Sequence, residues 1–190
     1  VTCVARPGAA DAWETSADGR TWTFQLAPDA RWSNGDALTA RDFVWSFRRL
    51  LTPDTASDYS NLLFGLEGAA DFFAWRQAQL ATFDPATDDA AALWAATRDR
   101  FHRTVGVEAP DDHTLVLRLE RPIPYLLDLL AFAVALPVHR PSVEGWPTPT
   151  TAATPHDRPP PLAARRHVTL DPRSGRFRAD SDWARHGRLV

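Results

Sequence analysis

The stretch that most constrains this chain runs from Thr21 to Leu51 and reads TWTFQLAPDARWSNGDALTARDFVWSFRRLL. It begins with a period of two: Trp22, Phe24 and Leu26 fall on one side of an extended chain, and Thr21, Thr23 and Gln25 on the other. Pro28-Asp29 breaks the alternation, and Asn34-Gly35 marks a tight turn. The period then changes to that of a helix. Phe43, Phe47, Leu50 and Leu51 recur at helical spacing behind Thr39-Ala40-Arg41-Asp42, a capping-box pattern at a helix start. A half-buried strand followed so closely by an amphipathic helix must bury two apolar faces against each other. The expected class is therefore α/β (α+β), a mixed sheet with packed helices.

The remaining chain fits that class up to about residue 138. Asp18-Gly19 reads as a two-residue hairpin turn before the Thr21 strand. Pro53-Asp54 ends the first helix. Tyr59 to Leu66 is apolar and of undetermined type. Glu67 to Leu80 and Asp88 to His102 read as amphipathic helices separated by Pro85. Val105 to Glu108 is expected as a strand. Leu115, Leu117 and Leu119 alternate with Val116, Arg118 and Glu120 in a second one. Tyr125 to Phe132 reads as an apolar helix with Pro124 near its first turn, and Ala133 to Val138 as a short buried strand.

At 44% apolar residues, the 190-residue chain has enough material for one core. A formal net charge of −3 argues against a general nucleic-acid binder. All 21 basic residues are Arg and Met is absent, a bias that fits GC-rich coding. Cys3 is the single cysteine, which rules out an intramolecular disulfide. No run of about 18 apolar residues occurs, and no export signal is visible, so export would require a signal upstream. After His139 the character changes. Residues 139–190 hold eight of the 16 prolines, four of the six histidines, and nine Arg against five acidic residues. Two regions are expected: a domain over 1–144 and a Pro/Arg-rich tail over 145–190. The tail reads as irregular and disordered, either a genuine linker or text read out of frame.

Four blocks in order carry a resemblance. Pro7 to Glu14 is similar to "PGVAESWE", and Trp22 to Tyr59 to "WTFxLRxxAKWSDGxPVTAxDFVYSWxRLLDPxTASPY". Gly106 onward follows "GVKALDDHTLEVTLxxPxPYFLxLL", and Pro137-Val138-His139-Arg140 follows "FPVNR". This wording resembles family 5 of the extracytoplasmic solute-binding proteins, the oligopeptide, dipeptide and nickel type that serves ABC transporters. The resemblance implies a periplasmic-binding-protein-like partial domain, mainly the smaller extra domain of a bilobed body. It stops near Glu144; of the family's next blocks only Trp146 survives.

What the resemblance implies for function is capture of a peptide or peptide-like solute outside the membrane, for hand-over to ABC permease subunits. The protein would be periplasmic or extracytoplasmic, membrane-associated only through the transporter, monomeric, and without enzymatic activity or cofactor. Alternatives are the sensor domain of a transcriptional regulator, a hydrolase using Asp111, Asp112 and His113, and a non-functional gene remnant.

Tyr59 is the one ligand-binding candidate, because it matches the family tyrosine after "TASP"; the competing reading is a partly buried core Tyr. Asp58 stands where the family has Pro. Trp22, Trp32, Trp45, Trp75 and Trp94 offer a stacking platform, or more simply core packing. Asn34-Gly35-Asp36 supplies too few oxygens for a Ca²⁺ site, which takes about six to eight ligands, and reads as a turn. Asp111-Asp112-His113 reads as a polar turn rather than an acid–base cluster. His139, His156, His167 and His186 are too widely spaced for a metal site. No P-loop, G-x-S-x-G, H-E-x-x-H or C-x-x-C pattern occurs, so no catalytic and no metal residue is assigned.

Overall fold

The computed structural model describes residues 8–144 and the backbone of two short strands further on. Its centre is a four-stranded sheet of β1 (Ala10–Thr15), β2 (Thr21–Leu26), β3 (Val107–Glu108) and β4 (Thr114–Arg118), in the order β1-β2-β4-β3. The sheet expected to be mixed is antiparallel in all three pairings. The connections explain this. β1 meets β2, and β3 meets β4, through short reversing loops, and parallel neighbours would need long crossovers.

The alternation read in β2 is the alternation observed. Trp22 pairs with Leu117 and Phe24 with Leu115, which places these apolar side chains on one face. Thr23, Gln25, Val116 and Arg118 take the opposite face, where Arg118 bridges Glu108 and Glu67. One packed face and one ion-paired face are what a half-buried antiparallel sheet requires. The β1–β2 connection is longer than the two-residue turn expected from Asp18-Gly19. The Asp18 carboxylate accepts the Ser16 hydroxyl at 2.5 Å and the Arg20 N–H at 3.1 Å, holding a wider loop, with Gly19 at φ 70°.

Helix α1 (Ala40–Leu51) packs on β3 and β4. Its start is capped as expected: Asp42 Oδ2 accepts the Thr39 N–H at 2.8 Å and the Thr39 hydroxyl at 3.1 Å. Val44, Phe47 and Leu51 enter the core beside Phe24, Leu26, Leu115 and Leu117. α2 (Ala69–Thr82) and α3 (Ala90–Thr104) pack together, with Phe72 and Phe101 edge to face at 5.4 Å and both fully buried. Asp89 caps α3 by accepting the Ala91 and Ala92 N–H groups. Tyr59 to Leu66, undetermined from sequence, contains a 3₁₀ turn at Ser60–Leu63.

α4 (Leu126–Leu130) lies within the expected Tyr125–Phe132 helix. The strand expected over Ala133 to Val138 does not form. Ala133–Ala135 is a 3₁₀ turn, and Pro137, which lacks an N–H, could not donate to a ladder. The segment docks on α1 instead, with the Val138 N–H donating to Ser46 Oγ at 2.8 Å. α5 (Arg140–Glu144) follows. β5 (Val168–Leu170) and β6 (Phe177–Ala179) form a separate antiparallel pair. Apart from that pair, the tail expectations for residues 145–190, including His156, His167 and His186, lie outside the described residues, as does Cys3.

Candidate ligand-facing site

Tyr59 sits between two short turns, Pro53–Thr55 and Ser60–Leu63, on a stretch the main chain bends sharply. Ala56 adopts φ 49°, and Thr55 Oγ1 donates to the Arg49 and Thr52 carbonyls. The Tyr59 carbonyl accepts the Leu62 N–H at 3.1 Å, so the backbone is held while the side chain is not buried. Tyr59 is 51% exposed, which sets aside the core reading of its ring. Among the described residues its one aromatic neighbour is Phe132, edge to face at 5.9 Å and itself 47% exposed. Two exposed rings in an edge-to-face pair make a rigid apolar surface with a phenol at its edge. Sequence reading missed Phe132, which lies 73 positions away in the chain and carries no local signal.

An apolar groove of ~290 Å³ opens along the packed face of the sheet. Trp13, Phe24, Phe43, Leu127, Leu130 and Leu136 form much of its wall. Phe132 follows directly on the groove-lining residues Leu130 and Ala131.

The other sequence candidates separate in space. Trp32 is buried, and Trp22 and Trp75 pack against the core half-buried. Trp94 is 39% exposed and lies under the guanidinium groups of Arg48 and Arg76, while Arg100 lies over Trp75 at 4.8 Å. Trp45 is half-buried on α1, lining a cavity with none of these, so the five tryptophans serve several different contacts and not one platform. Asp111-Asp112-His113 is a turn: Asp111 Oδ1 accepts the His113 N–H at 2.8 Å, and Asp112 pairs with Arg41 at 3.1 Å. The backbone bonds to Asp111 hold its carboxyl below the usual carboxylate range.

Asn34-Gly35-Asp36 is likewise a turn, with Gly35 at φ 94°. Its Asp36 carboxylate meets His139 Nε2 at 2.9 Å, and His139 Nδ1 lies 2.6 Å from Ser142 Oγ. The same imidazole packs on Trp32 at 5.2 Å. His139 thus ties α5 to the turn before α1. Among the described residues no three His, Cys, Asp or Glu side chains gather as a metal site, and no helix is long and apolar enough to cross a membrane.

Comparison with known proteins places this geometry in a family. The family model described as bacterial extracellular solute-binding proteins, family 5 Middle, matches residues 5–162. The periplasmic oligopeptide-binding protein OppA of Haemophilus influenzae is 37% identical over 141 residues, covering 73% of this chain and 22% of that protein. Its namesake in Salmonella typhimurium is 36% identical over 154 residues, 78% of this chain and 24% of the relative. Among solved structures, Haemophilus influenzae OppA in complex with RPPGFSPFR superposes with a TM-score of 0.57 at 37% identity, covering 74% of this chain and 23% of that one. The unliganded open form of MppA, a periplasmic murein tripeptide-binding protein, gives 0.58 at 31% identity, over 75% and 23%. The chain spans between 22% and 24% of the length of these proteins. Match, identity and fold agree, and the chain belongs to the bacterial extracellular solute-binding proteins of family 5.

Proposed function

We propose that residues 8–144 form one wall of the ligand cleft of a peptide-binding protein that captures oligopeptides outside the cytoplasmic membrane for an ABC-type importer. The observation that carries this reading is the exposed Tyr59–Phe132 pair on a family 5 domain at 31–37% identity to oligopeptide and murein-peptide binders. Tyr59 would lay its ring along a peptide backbone and use its hydroxyl as a donor, with Phe132 holding the ring upright. Such recognition needs no bond-making, so the reading is of a binding protein and not an enzyme. The permease subunits of the transporter would be the protein partners.

The test is a chimaera in which residues 8–144 replace the matching segment of Haemophilus influenzae OppA, titrated with the peptide RPPGFSPFR. Binding near the parent's affinity is expected, and Tyr59→Ala should weaken it about tenfold, equivalent to ~1.4 kcal/mol. A folded chimaera that fails to bind would overturn the functional reading. A folded chimaera indifferent to Tyr59→Ala would remove Tyr59 from the site.

A further inference from the structure

Helix α1 has a second working face. Phe43 and Phe47 look into the apolar groove, whereas Arg41, Val44, Trp45 and Arg48 line a separate cavity of ~530 Å³. The end of α3 closes it with His102, β3 with Glu108, the turn after it with Pro110, and α5 with Arg140. Its charged lining is four basic side chains against one acid.

Most of these charges are already matched. Glu108 holds the Arg118 guanidinium, Arg140 Nε donates to Glu144 at 2.8 Å, and Arg41 Nε lies 3.1 Å from Asp112. Arg48 is the exception. The residue is 8% exposed, and among the described residues its guanidinium makes no hydrogen bond and has no carboxylate within 4 Å. The closest aromatic face, Trp94, is 5.9 Å from its Cζ. Its charged neighbours deepen the imbalance. Burial, then the charges of Arg140 and Arg98, disfavour its cation, and Glu144 offsets this only in part. His102 is pushed below its ordinary range by burial and by Arg48 and Arg98, against Asp99. A guanidinium carries five N–H donors and no means of losing its proton, so Arg48 offers the cavity charged donors that no side chain among the described residues takes up.

We propose that this cavity binds a small organic oxyanion, a carboxylate or phosphate monoester, with its anionic group on the Arg48 guanidinium and an apolar body against Trp45. The volume falls in the range of small-molecule pockets, roughly 300–1,000 Å³, and accommodates a compact ligand. The lining matches such a ligand. One end offers a guanidinium whose fork geometry suits carboxylate and phosphate oxygens. The other offers the half-buried Trp45 with Val44, Ala109 and Pro110. This site does not depend on the peptide reading, since neither Tyr59 nor the apolar groove takes part.

The full 190-residue chain can be titrated with phenyl phosphate, benzoate, inorganic phosphate and benzyl alcohol at fixed ionic strength, following indole N–H signals by two-dimensional NMR. Saturable shifts of the Trp45 indole are expected with phenyl phosphate and benzoate, and none with benzyl alcohol. Arg48→Gln should weaken phenyl phosphate ~10-fold or more, the loss of a charge-assisted bond, whereas Arg121→Gln, an exposed control, should not. Trp45→Leu keeps every charge; it should weaken phenyl phosphate and leave inorganic phosphate unchanged. No saturation below about 10 mM, a free energy weaker than ~3 kcal/mol, would overturn the proposal. So would equal binding by the Arg48→Gln and parent chains, or tighter binding of a hexaglutamate peptide, which would mark a docking surface for an acidic segment. If Arg48→Gln fails to fold, the Trp45→Leu comparison alone decides.

Discussion

The Arg76 guanidinium is nearly out of water, yet each of its three nitrogens has a hydrogen-bond partner. Its Nε and Nη2 bind the two Asp54 oxygens at 2.9 and 2.5 Å, Nη1 donates to Thr97 Oγ1 at 3.1 Å, and Trp94 lies 6.0 Å from its Cζ. One side chain on α2 thereby joins the Pro53–Thr55 turn after α1 to α3. The contrast with Arg48, also buried but with no hydrogen-bonded carboxylate among the described residues, is the basis for proposing a structural role for one arginine and a ligand for the other. Partial burial raises the Asp54 pKa, but the bonds and charge of Arg76 win and hold the carboxyl below its ordinary value of 3.8. A depressed carboxyl pKa means that its stabilisation is complete above the unfolded value and is lost as pH falls through the folded one. Asp54→Asn is expected to cost about 2 kcal/mol at pH 7. That is below the ~3–5 kcal/mol of a fully buried pair, because the Asp54 side chain is 34% exposed. The difference between the two chains should shrink as pH drops from about 5 to below 3.8. Urea denaturation of both across that range measures it, and a pH-independent difference would show that the pair is not the source.

At the scale of elements, the start of α2 shows how closely strands and helices are joined. Gly68 precedes α2 with φ 65°, donates its N–H to Glu120 Oε1 at 2.8 Å, and lies against the end of α3. A Cβ built on Gly68 would sit 1.9 Å from the Thr104 carbonyl oxygen, which is backbone and cannot swing away. Gly68→Ala is therefore expected to destabilise the domain by about 3 kcal/mol, through left-handed strain together with overpacking. Gly35 is the control: its φ is 94° but nothing lies within 4 Å of an added Cβ, so Gly35→Ala should cost only the strain, about 1 kcal/mol. Equal losses in chemical denaturation would mean that the Thr104 contact adds nothing.

Elements also show where sequence reading stopped. The α1 cap and the β2 alternation were legible because each depends on residues within four positions of one another. The Ala133 segment was read as a strand because it is short and apolar. Hydrophobicity cannot distinguish a buried strand from a buried turn when no sheet edge is specified. Arg48 did leave a trace, since an arginine stands inside the apolar stripe of Val44, Phe47 and Leu51.

For the whole molecule, the open setting of Tyr59 bears on affinity. A ligand pocket usually buries 70–90% of a small ligand, and a half-exposed aromatic pair on an outer surface does not enclose one. The 190-residue chain by itself is expected to bind RPPGFSPFR more weakly than about 1 μM, a free energy short of ~8 kcal/mol. Calorimetry that found micromolar or tighter binding would mean that this domain holds a complete peptide site.

The sequence by itself determined the class of fold, the family, and the position of Tyr59 within a family motif. Each rests on local order: a period of two or 3.6, a cap four residues long, a run of matching words. Tertiary structure decided the rest. It set Phe132 against Tyr59, brought His139 to Asp36 across 103 positions, and left Arg48 lining a cavity with no hydrogen-bonded carboxylate among the described residues. Those outcomes depend on how α1, α3 and the sheet stack, and burial and charge pairing are properties of that stacking, which no short window of residues contains.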